Sequence, residues 1–363
     1  MKITGVELNA VHVNHHGDWV FVHVLTDEGL QGLGELRAGK NYTADIAAVR
    51  QLGAQLIGED PLNIEPIFSK YKSVAQTNIY ALSAIDQALW DILGKSLNVP
   101  VHVLLGGSCR KRIRLYANIN RATTDRTPEG FAQNALAAVE QGFDAVKLAP
   151  FDGLDSNIDS ANDAQLGIAC MHAVRDAIGP GPDLLVDCHS RFSVKGALEV
   201  ADVLRDLDLF WFEQPVPESD MESCMRVKEK CGLCIAGGEG RSLRQGFTEV
   251  FEQNSMHVIM PDVKIIGGIG ELKKVADMAA AWGIPTAPHG PSGPVTIAAG
   301  VETMLSHPEF LILEYGWGEV GWRHELILPH ETIRYGYVYS HNRPGLGIEL
   351  NPEILEAYRV LLP

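Results

Sequence analysis

The chain has 363 residues, 46% hydrophobic and 21% charged, more than one small domain holds and enough for an α/β barrel of roughly 250 residues with a smaller partner. Its 30 Lys and Arg against 46 Asp and Glu leave a net charge of −16, which repels phosphate backbones and anionic lipid heads and argues against nucleic-acid or membrane-surface partners. No apolar run approaches the roughly 20 residues that span a bilayer, and the opening MKITGVELNAVHV lacks a basic stretch followed by an apolar one, so a soluble, cytoplasmic protein is expected.

Ile3 to Val13 alternates, Trp19 to Thr26 is β-branched and aromatic, and Asp27 to Gly29 is a turn signal, so strands open the chain and Gly32 to Glu35 closes their sheet. Apolar residues then recur at helical spacing: Ile46, Val49, Leu52 and Leu56, followed by Ala81, Ile85, Ala88, Leu89 and Ile92. A meander followed by helices predicts an α+β domain over residues 1–112. After Arg112 short apolar strands (IRLYANI, AVKLAP, LLVDCH, FWFEQP, CIAGGEG, HVIMPDV, PTAPH, FLILEY) alternate with amphipathic stretches such as 128–141, 194–207 and 270–282. Repeated β/α units of that number predict a closed (β/α)8 barrel over 113–334 more than an open doubly wound sheet. The tail, 335–363, returns to turns and a short helix and is expected to pack back on the N-terminal domain. Cys109, Cys170, Cys188, Cys224, Cys231 and Cys234 are too sparse for a disulfide scaffold. The lone CxxC at Cys231 and Cys234 reads as buried small hydrophobes, not a zinc site.

Ionisable residues fall at the ends of these strands: Lys147, Asp187, Glu213, Glu239, Asp262, His289 and Glu314. From Asp187 onward they are 26, 26, 23, 27 and 25 residues apart, about one β/α unit each, so in a barrel they rise to the same C-terminal rim, where barrel enzymes keep their chemistry. The 40 residues from Lys147 to Asp187 leave room for an enlarged loop, 151–163, beside the site. Asp187, Glu213 and Glu239, in consecutive units, would repel one another unless a cation lies between them. All-oxygen ligation suits Mg²⁺, with Mn²⁺ the alternative. A carboxylate behind an imidazole fixes its tautomer and raises its basicity, so Asp262 and His289 form a candidate general base; an ordinary rim hydrogen bond is the bland alternative. Lys147 offers an ammonium to developing negative charge. Together these residues predict proton abstraction next to the carboxylate of a small-molecule substrate.

The stretches around Lys147, Val186 to His189, Phe212 to Pro215, Gly237 to Gly240, Met260 to Asp262 with Gly267 and Gly268, and Ala287 to His289 resemble the enolase superfamily, in its mandelate racemase/muconate lactonizing enzyme-like subgroup. The resemblance implies a modified TIM barrel under an N-terminal capping domain, Mg²⁺ on Asp187, Glu213 and Glu239, an Asp262–His289 base dyad, and Glu314 bonded to the substrate carboxylate. It also implies a homo-oligomer. Racemases of this group carry a second lysine, spaced K-x-K, as a base on the opposite face; here the pattern reads Lys147, Leu148, Ala149, which disfavours a symmetric racemase. His189, two residues after Asp187, keeps its strand parity. With the lone lysine and the run Ala287 to Pro294 it looks like the galactonate dehydratase branch of acid-sugar dehydratases. That likeness implies that His189 protonates the departing 3-hydroxyl after His289 takes the C2 proton, giving a 2-keto-3-deoxy acid; a structural hydrogen bond from His189 is the alternative. An epimerase or lactonizing cycloisomerase sharing the enediolate is the rival reaction, and a non-enzymatic binding protein on a retained barrel the third reading.

Other residues keep two readings each. Lys264 adds positive charge or replaces the missing base, or pairs with a neighbouring carboxylate. Arg191 reaches an anionic substrate or makes a loop salt bridge. Asn118 and Asn120 line the pocket or cap a helix. His15, His16 and the stretch Arg37 to Tyr42 lie in loops that, by resemblance, cover the barrel mouth. Trp282, Trp317 and Trp322 read as packing, with Trp317 and Trp322 floor candidates.

Overall fold

The computed structural model describes residues 1–37, 39 and 42–363. Strands β1 (Ile3–Asn14), β2 (Gly17–Thr26) and β3 (Gln31–Glu35) form an antiparallel sheet in that order, followed by helices α1 (Thr43–Leu56), α2 (Ile64–Tyr71) and α3 (Ala75–Leu97) and the single turn α4 (Val101–Leu104). The period-2 alternation of β2 gives this sheet two apolar faces. Val20, Val22 and Val24 pack with Ile46, Val49, Ile85 and Leu89 of α1 and α3, while Trp19 and Phe21 join the core of the rest of the molecule. Helix α3 lies close on β3 because Gly32 and Gly34 have no side chain: a Cβ at either would meet the main-chain oxygen of Ala88 or Ala84.

Strand and helix then alternate: β4 (Ile113–Asn118), α5 (Pro128–Glu140), β5 (Ala145–Leu148), α6 (Gln165–Ile178), β6 (Asp183–Asp187), α7 (Val194–Val203), β7 (Leu209–Glu213), α8 (Met221–Lys230), β8 (Ile235–Gly237), α9 (Thr248–Glu252), β9 (Val258–Ile259), α10 (Ile269–Ala281), α11 (Pro294–Leu305) and β10 (Leu313–Gly316). Thr127, Ser193 and Asp220 cap α5, α7 and α8 through their side-chain oxygens. Strands β4 to β9 pair in parallel in chain order, and β10 pairs in parallel with β4. The expected strand at PTAPH is reduced to single bridges, Ile259 to Thr286 and Thr286 to Phe310, because Pro285 and Pro288 have no N–H to give a ladder. Through those bridges the pairing returns to its first strand, in keeping with the (β/α)8 architecture. The remaining elements are β11 (Ile327–Leu328), β12 (Ile333–Arg334), β13 (Tyr337–Val338), β14 (Glu349–Leu350) and α12 (Pro352–Ala357). β13 extends the barrel sheet beside β4, whereas Val360 N donates to Ala10 O at 2.9 Å and Leu346 N to the Asp91 carboxylate at 2.8 Å. All six cysteines are free thiols; Cys231 is buried and Cys234 half-buried. Among the described residues no helix is long and apolar enough to cross a membrane.

Candidate active site

A layer of apolar residues fills the barrel: Tyr116, Ala145, Leu185, Trp211, Ala236, Met260, Ala287 and Ile312. Two residues further along each strand, on the same face, stand Asn118, Lys147, Asp187, Glu213, Asp262, His289 and Glu314, so strand parity alone aims these side chains inward above the core. Glu239 departs from this count: it follows Ala236 by three, after a turn in which Gly238 takes φ +100°. All of these side chains are buried except Glu239, which is 22% exposed, and His289, which is 17% exposed.

Asp187, Glu213 and Glu239 each place a carboxylate oxygen within 4.8 Å of the others'. Lys147 Nζ stands 3.0 and 3.1 Å from the Glu213 oxygens, 2.9 Å from Glu314 Oε1 and 3.7 Å from Asp187 Oδ2. Burial opposes its charge, but Glu213 and Glu314 outweigh burial and hold its pKa well above the ordinary lysine range. One ammonium does not balance the cluster: burial and the carboxylates of Asp187, Glu239 and Glu314 push Glu213 well above its usual range despite Lys147. Glu239 Oε2 is buried and accepts no hydrogen bond. A convergent, oxygen-only donor set with excess negative charge and an unsatisfied carboxylate oxygen fits a hard divalent cation. Trp211 Nε1, 3.0 Å from Glu213 Oε2, fixes that carboxylate from below.

His289 Nδ1 lies 2.7 Å from Asp262 Oδ2, and its Nε2 faces the acids, 3.2 Å from Glu239 Oε2 and 3.6 Å from Glu314 Oε2. Burial lowers the imidazole's proton affinity, but Glu239, Glu314 and Asp262 outweigh it and leave its pKa raised. Burial likewise opposes the charge on Asp262, yet Lys264 and His289 hold it down to about 2. Lys264 is buried, with Nζ 3.1 Å from Asp262 Oδ2 and in contact with Ser292 Oγ, so its carboxylate partner is the dyad's own aspartate. Glu314 accepts from Asn118 Nδ2 at 2.7 Å and from Gly290 N at 3.0 Å; Lys147 and His289 overcome its burial and lower it to about 2. Asn118 thus braces Glu314 and caps no helix.

His189 comes to the same cluster from the other flank. It and Ser190 take φ of +44° and +59°, a tight left-handed turn after β6 that bends the imidazole back over the rim. Its Nε2 is 2.9 Å from Asp187 Oδ2 and its Nδ1 contacts Asp152 Oδ1. Burial opposes its charge, but Asp187 and Asp152 outweigh it and push the imidazole up to about 11. Arg191 donates to the main-chain oxygens of Asp152 and Leu154 at 3.2 Å, tying down the enlarged loop, and forms no salt bridge among the described residues. An open cavity of about 520 Å³ beside Asp152 is lined by His15 and His16 of the β1–β2 turn and by Asn120 and Arg126 of the barrel. Arg37 pairs with Asp45 at 2.8 Å and covers the Tyr80 ring; Ala38, Lys40 and Asn41, from the loop stretch expected at the mouth, lie outside the described residues. Trp317 bonds Gln141 and Trp322 stacks on Tyr358, so both pack and neither floors the site; Trp282 is exposed.

Asp152 and Trp211 are additions that sequence reasoning missed. Trp211 was within reach, since it precedes Glu213 by two on the same strand face. Asp152 sits in a loop without periodicity, and no spacing marks it.

Residues 5–106 match the family model for the mandelate racemase/muconate lactonizing enzyme N-terminal domain, and residues 130–354 match the enolase C-terminal domain-like model. The D-xylonate dehydratase of Haloferax volcanii is 31% identical over 99% of this chain and 89% of its own length. The D-galactonate dehydratase of Variovorax paradoxus is 32% identical over 92% of this chain and 89% of its own. The crystal structure of a mandelate racemase/muconate lactonizing enzyme from Jannaschia sp. CCS1 superposes with a TM-score of 0.90 at 32% identity, over 99% of this chain and 98% of that one. With both family models matched along the chain that carries this rim of acids and histidines, the protein belongs to the mandelate racemase/muconate lactonizing enzyme family of the enolase superfamily.

Proposed function

We propose that the chain is a Mg²⁺-dependent acid-sugar dehydratase that takes the C2 proton of a polyhydroxy acid and expels its 3-hydroxyl to give a 2-keto-3-deoxy acid. The observation that carries this reading is the placement of two histidines on the outer members of one acidic triad. His289 Nε2 is at Glu239 and His189 Nε2 at Asp187, each braced behind by an aspartate. Asp187, Glu213 and Glu239 would hold Mg²⁺, or Mn²⁺ in its place, which when bound supplies positive charge to the substrate's carboxylate oxygens.

His289, held in one tautomer by Asp262, accepts the C2 proton through Nε2. Lys147, the only lysine of its strand because Ala149 fills the other position, offers its ammonium to the negative charge that develops on the carboxylate. Glu314, fixed by Asn118 and paired with Lys147 at 2.9 Å, holds the ammonium in place to meet the substrate carboxylate. His189 then gives its proton to the 3-hydroxyl as the C3–O bond breaks, so that water leaves, and the enol product becomes the 2-keto acid by taking a proton at C3 and releasing the one on its C2 oxygen. A base on one face suits elimination, which needs no proton returned to the opposite side of C2. The relatives named as D-xylonate and D-galactonate dehydratases support the same class of reaction.

The test is a screen of aldonic and aldaric acids with Mg²⁺, read as 2-keto acid, with proton NMR in D₂O alongside. A 2-keto-3-deoxy product that disappears in His289→Ala is expected. Deuterium at C2 with the 3-hydroxyl retained would favour an epimerase instead, and wild-type turnover in His289→Ala would refute the base.

A further inference from the structure

We propose that Asp152, in the loop after β5, is the positioning residue of the acid histidine. Its side chain holds the His189 ring so that Nε2 faces the reacting carbon's leaving group. The inference deepens the dehydratase reading and rests on it. Asp152 meets His189 Nδ1 with one oxygen and uses the other for two neutral or cationic donors, Asn120 Nδ2 at 3.2 Å and an Arg126 guanidinium nitrogen at 3.3 Å. Its main-chain oxygen accepts from Arg191 at 3.2 Å, so backbone and side chain are both pinned. Arg126 in turn bonds Asn120 Oδ1 at 2.8 Å, which closes a small network of loop residues around one carboxylate.

That network has work to do because His189 is poorly held otherwise. It stands on a left-handed turn, and its side chain is 36% exposed, against 17% for His289. Among the described residues the ring's other polar contact is with Asp187, a residue assigned above to the cation, so that contact cannot also fix the ring when Asp187 turns its oxygens to a metal. An imidazole bonded at Nδ1 has one free edge and one orientation, as in the Asp262–His289 pair across the site. The two histidines thus share a construction: a carboxylate behind Nδ1 and Nε2 on the triad. Asp262 arrives from the end of a barrel strand, Asp152 from a loop, which is why the second dyad is invisible to strand spacing.

The experiment uses wild type, Asp152→Ala, Asp152→Asn, His189→Gln and the double variant His189→Gln/Asp152→Ala, all with Mg²⁺ and the acid sugar that wild type turns over. Elimination is read as 2-keto acid and C2 exchange as deuterium uptake in D₂O. An acid supplies about 10²–10⁴-fold, so Asp152→Ala should lower elimination by about 10-fold or more and raise the ratio of exchange to elimination by a similar factor. Asp152→Asn, which still presents an oxygen to Nδ1, should recover part of the loss. In the His189→Gln background, Asp152→Ala should change elimination by less than about 2-fold, because residues acting through one another are not additive. A ratio that stays at the wild-type value, or a full further loss in the double variant, overturns the positioning role while leaving the dehydratase reading intact. A wild type that exchanges C2 without eliminating overturns the reading itself, and the acid role with it.

Discussion

Asp262 Oδ2 is shared between His289 Nδ1 at 2.7 Å and Lys264 Nζ at 3.1 Å. Both donors draw on one carboxylate oxygen in a buried setting where charge is weakly screened. Lys264 therefore weakens the hold of Asp262 on a protonated His289 and keeps the base available at lower pH than the dyad alone would allow. The sign is opposed to the effect of Glu239 and Glu314, whose carboxylates raise the imidazole's pKa. Replacing Lys264 by Met removes the positive charge, so His289 should hold its proton to higher pH. The acidic limb of kcat/KM should move up by about one pH unit, a change of about 1.4 kcal/mol in proton affinity. Turnover at pH 6 should fall more than turnover at pH 8. A limb that stays in place, or moves down, would show that Lys264 does not act on the dyad.

The loops after Asp262 and His289 run into helix N-termini, and the N-terminal domain supplies their caps. Helix α10 starts after the Gly267–Gly268 turn that follows Asp262; Gly267 N donates to Ser83 Oγ at 3.1 Å and Gly270 N to Asp86 Oδ1 at 3.2 Å. Helix α11 starts after the His289 loop, and Glu35 accepts from Gly293 N at 2.7 Å and Thr296 N at 2.9 Å. Orphan N–H groups at a helix start favour a carboxylate, and these carboxylates come from β3 and α3. Burial raises Asp86 from its ordinary 3.8 to about 7 in spite of the Gly270 and Ile269 amides. The folded state thus holds this proton to higher pH than the unfolded chain. Its contribution is lost as pH rises from about 4 through about 7. Thermal melts of Asp86→Asn and wild type at pH 6 and pH 8 should differ accordingly: the variant gains on wild type as the pH rises, since the amide has no proton to lose. A difference that is the same at both pH values would mean that Asp86 is ionised throughout. How much of this was legible from sequence follows the same division. The inward rim of Lys147, Asp187, Glu213, Asp262, His289 and Glu314 follows from strand parity and one β/α repeat per acid, both local in sequence. Glu35 meets Gly293 from 258 residues away and Asp86 meets Gly270 from 184, and Asp152 meets His189 across an irregular loop. Such pairings depend on how two domains and a loop dock, which no period in the chain records. The missing ladder at Pro285 to His289 was legible in principle, because two prolines in five residues cannot sustain one.

At the scale of the molecule, the acidic triad lies inside a chain whose net charge is −16. Self-repulsion of that size lets any divalent cation stabilise the fold a little by screening, so stabilisation by Mg²⁺ alone does not locate a site. Specific binding to the folded state adds RT ln(1 + [L]/Kd), about 2.7 kcal/mol when Mg²⁺ is a hundred times its Kd. The control is Glu239→Gln, which alters total charge by one and leaves Asp187, Glu213 and Lys147 in place. Glu239 Oε2 accepts no hydrogen bond in the protein, so the substitution breaks none at that atom; it gives up the 3.2 Å ion contact with His289 Nε2 but relieves repulsion from Glu213 in a cluster where negative charge is in excess. Without Mg²⁺ the variant should melt at or above the wild-type temperature. With Mg²⁺ at constant ionic strength, wild type should gain several degrees and Glu239→Gln should gain only the small screening increment, so the two melting curves cross. Parallel gains in both proteins would mean that the cation acts on the acidic surface and not between Asp187, Glu213 and Glu239. The crossing is read without substrate or turnover, so it tests the cation site separately from the chemistry proposed for His289 and His189.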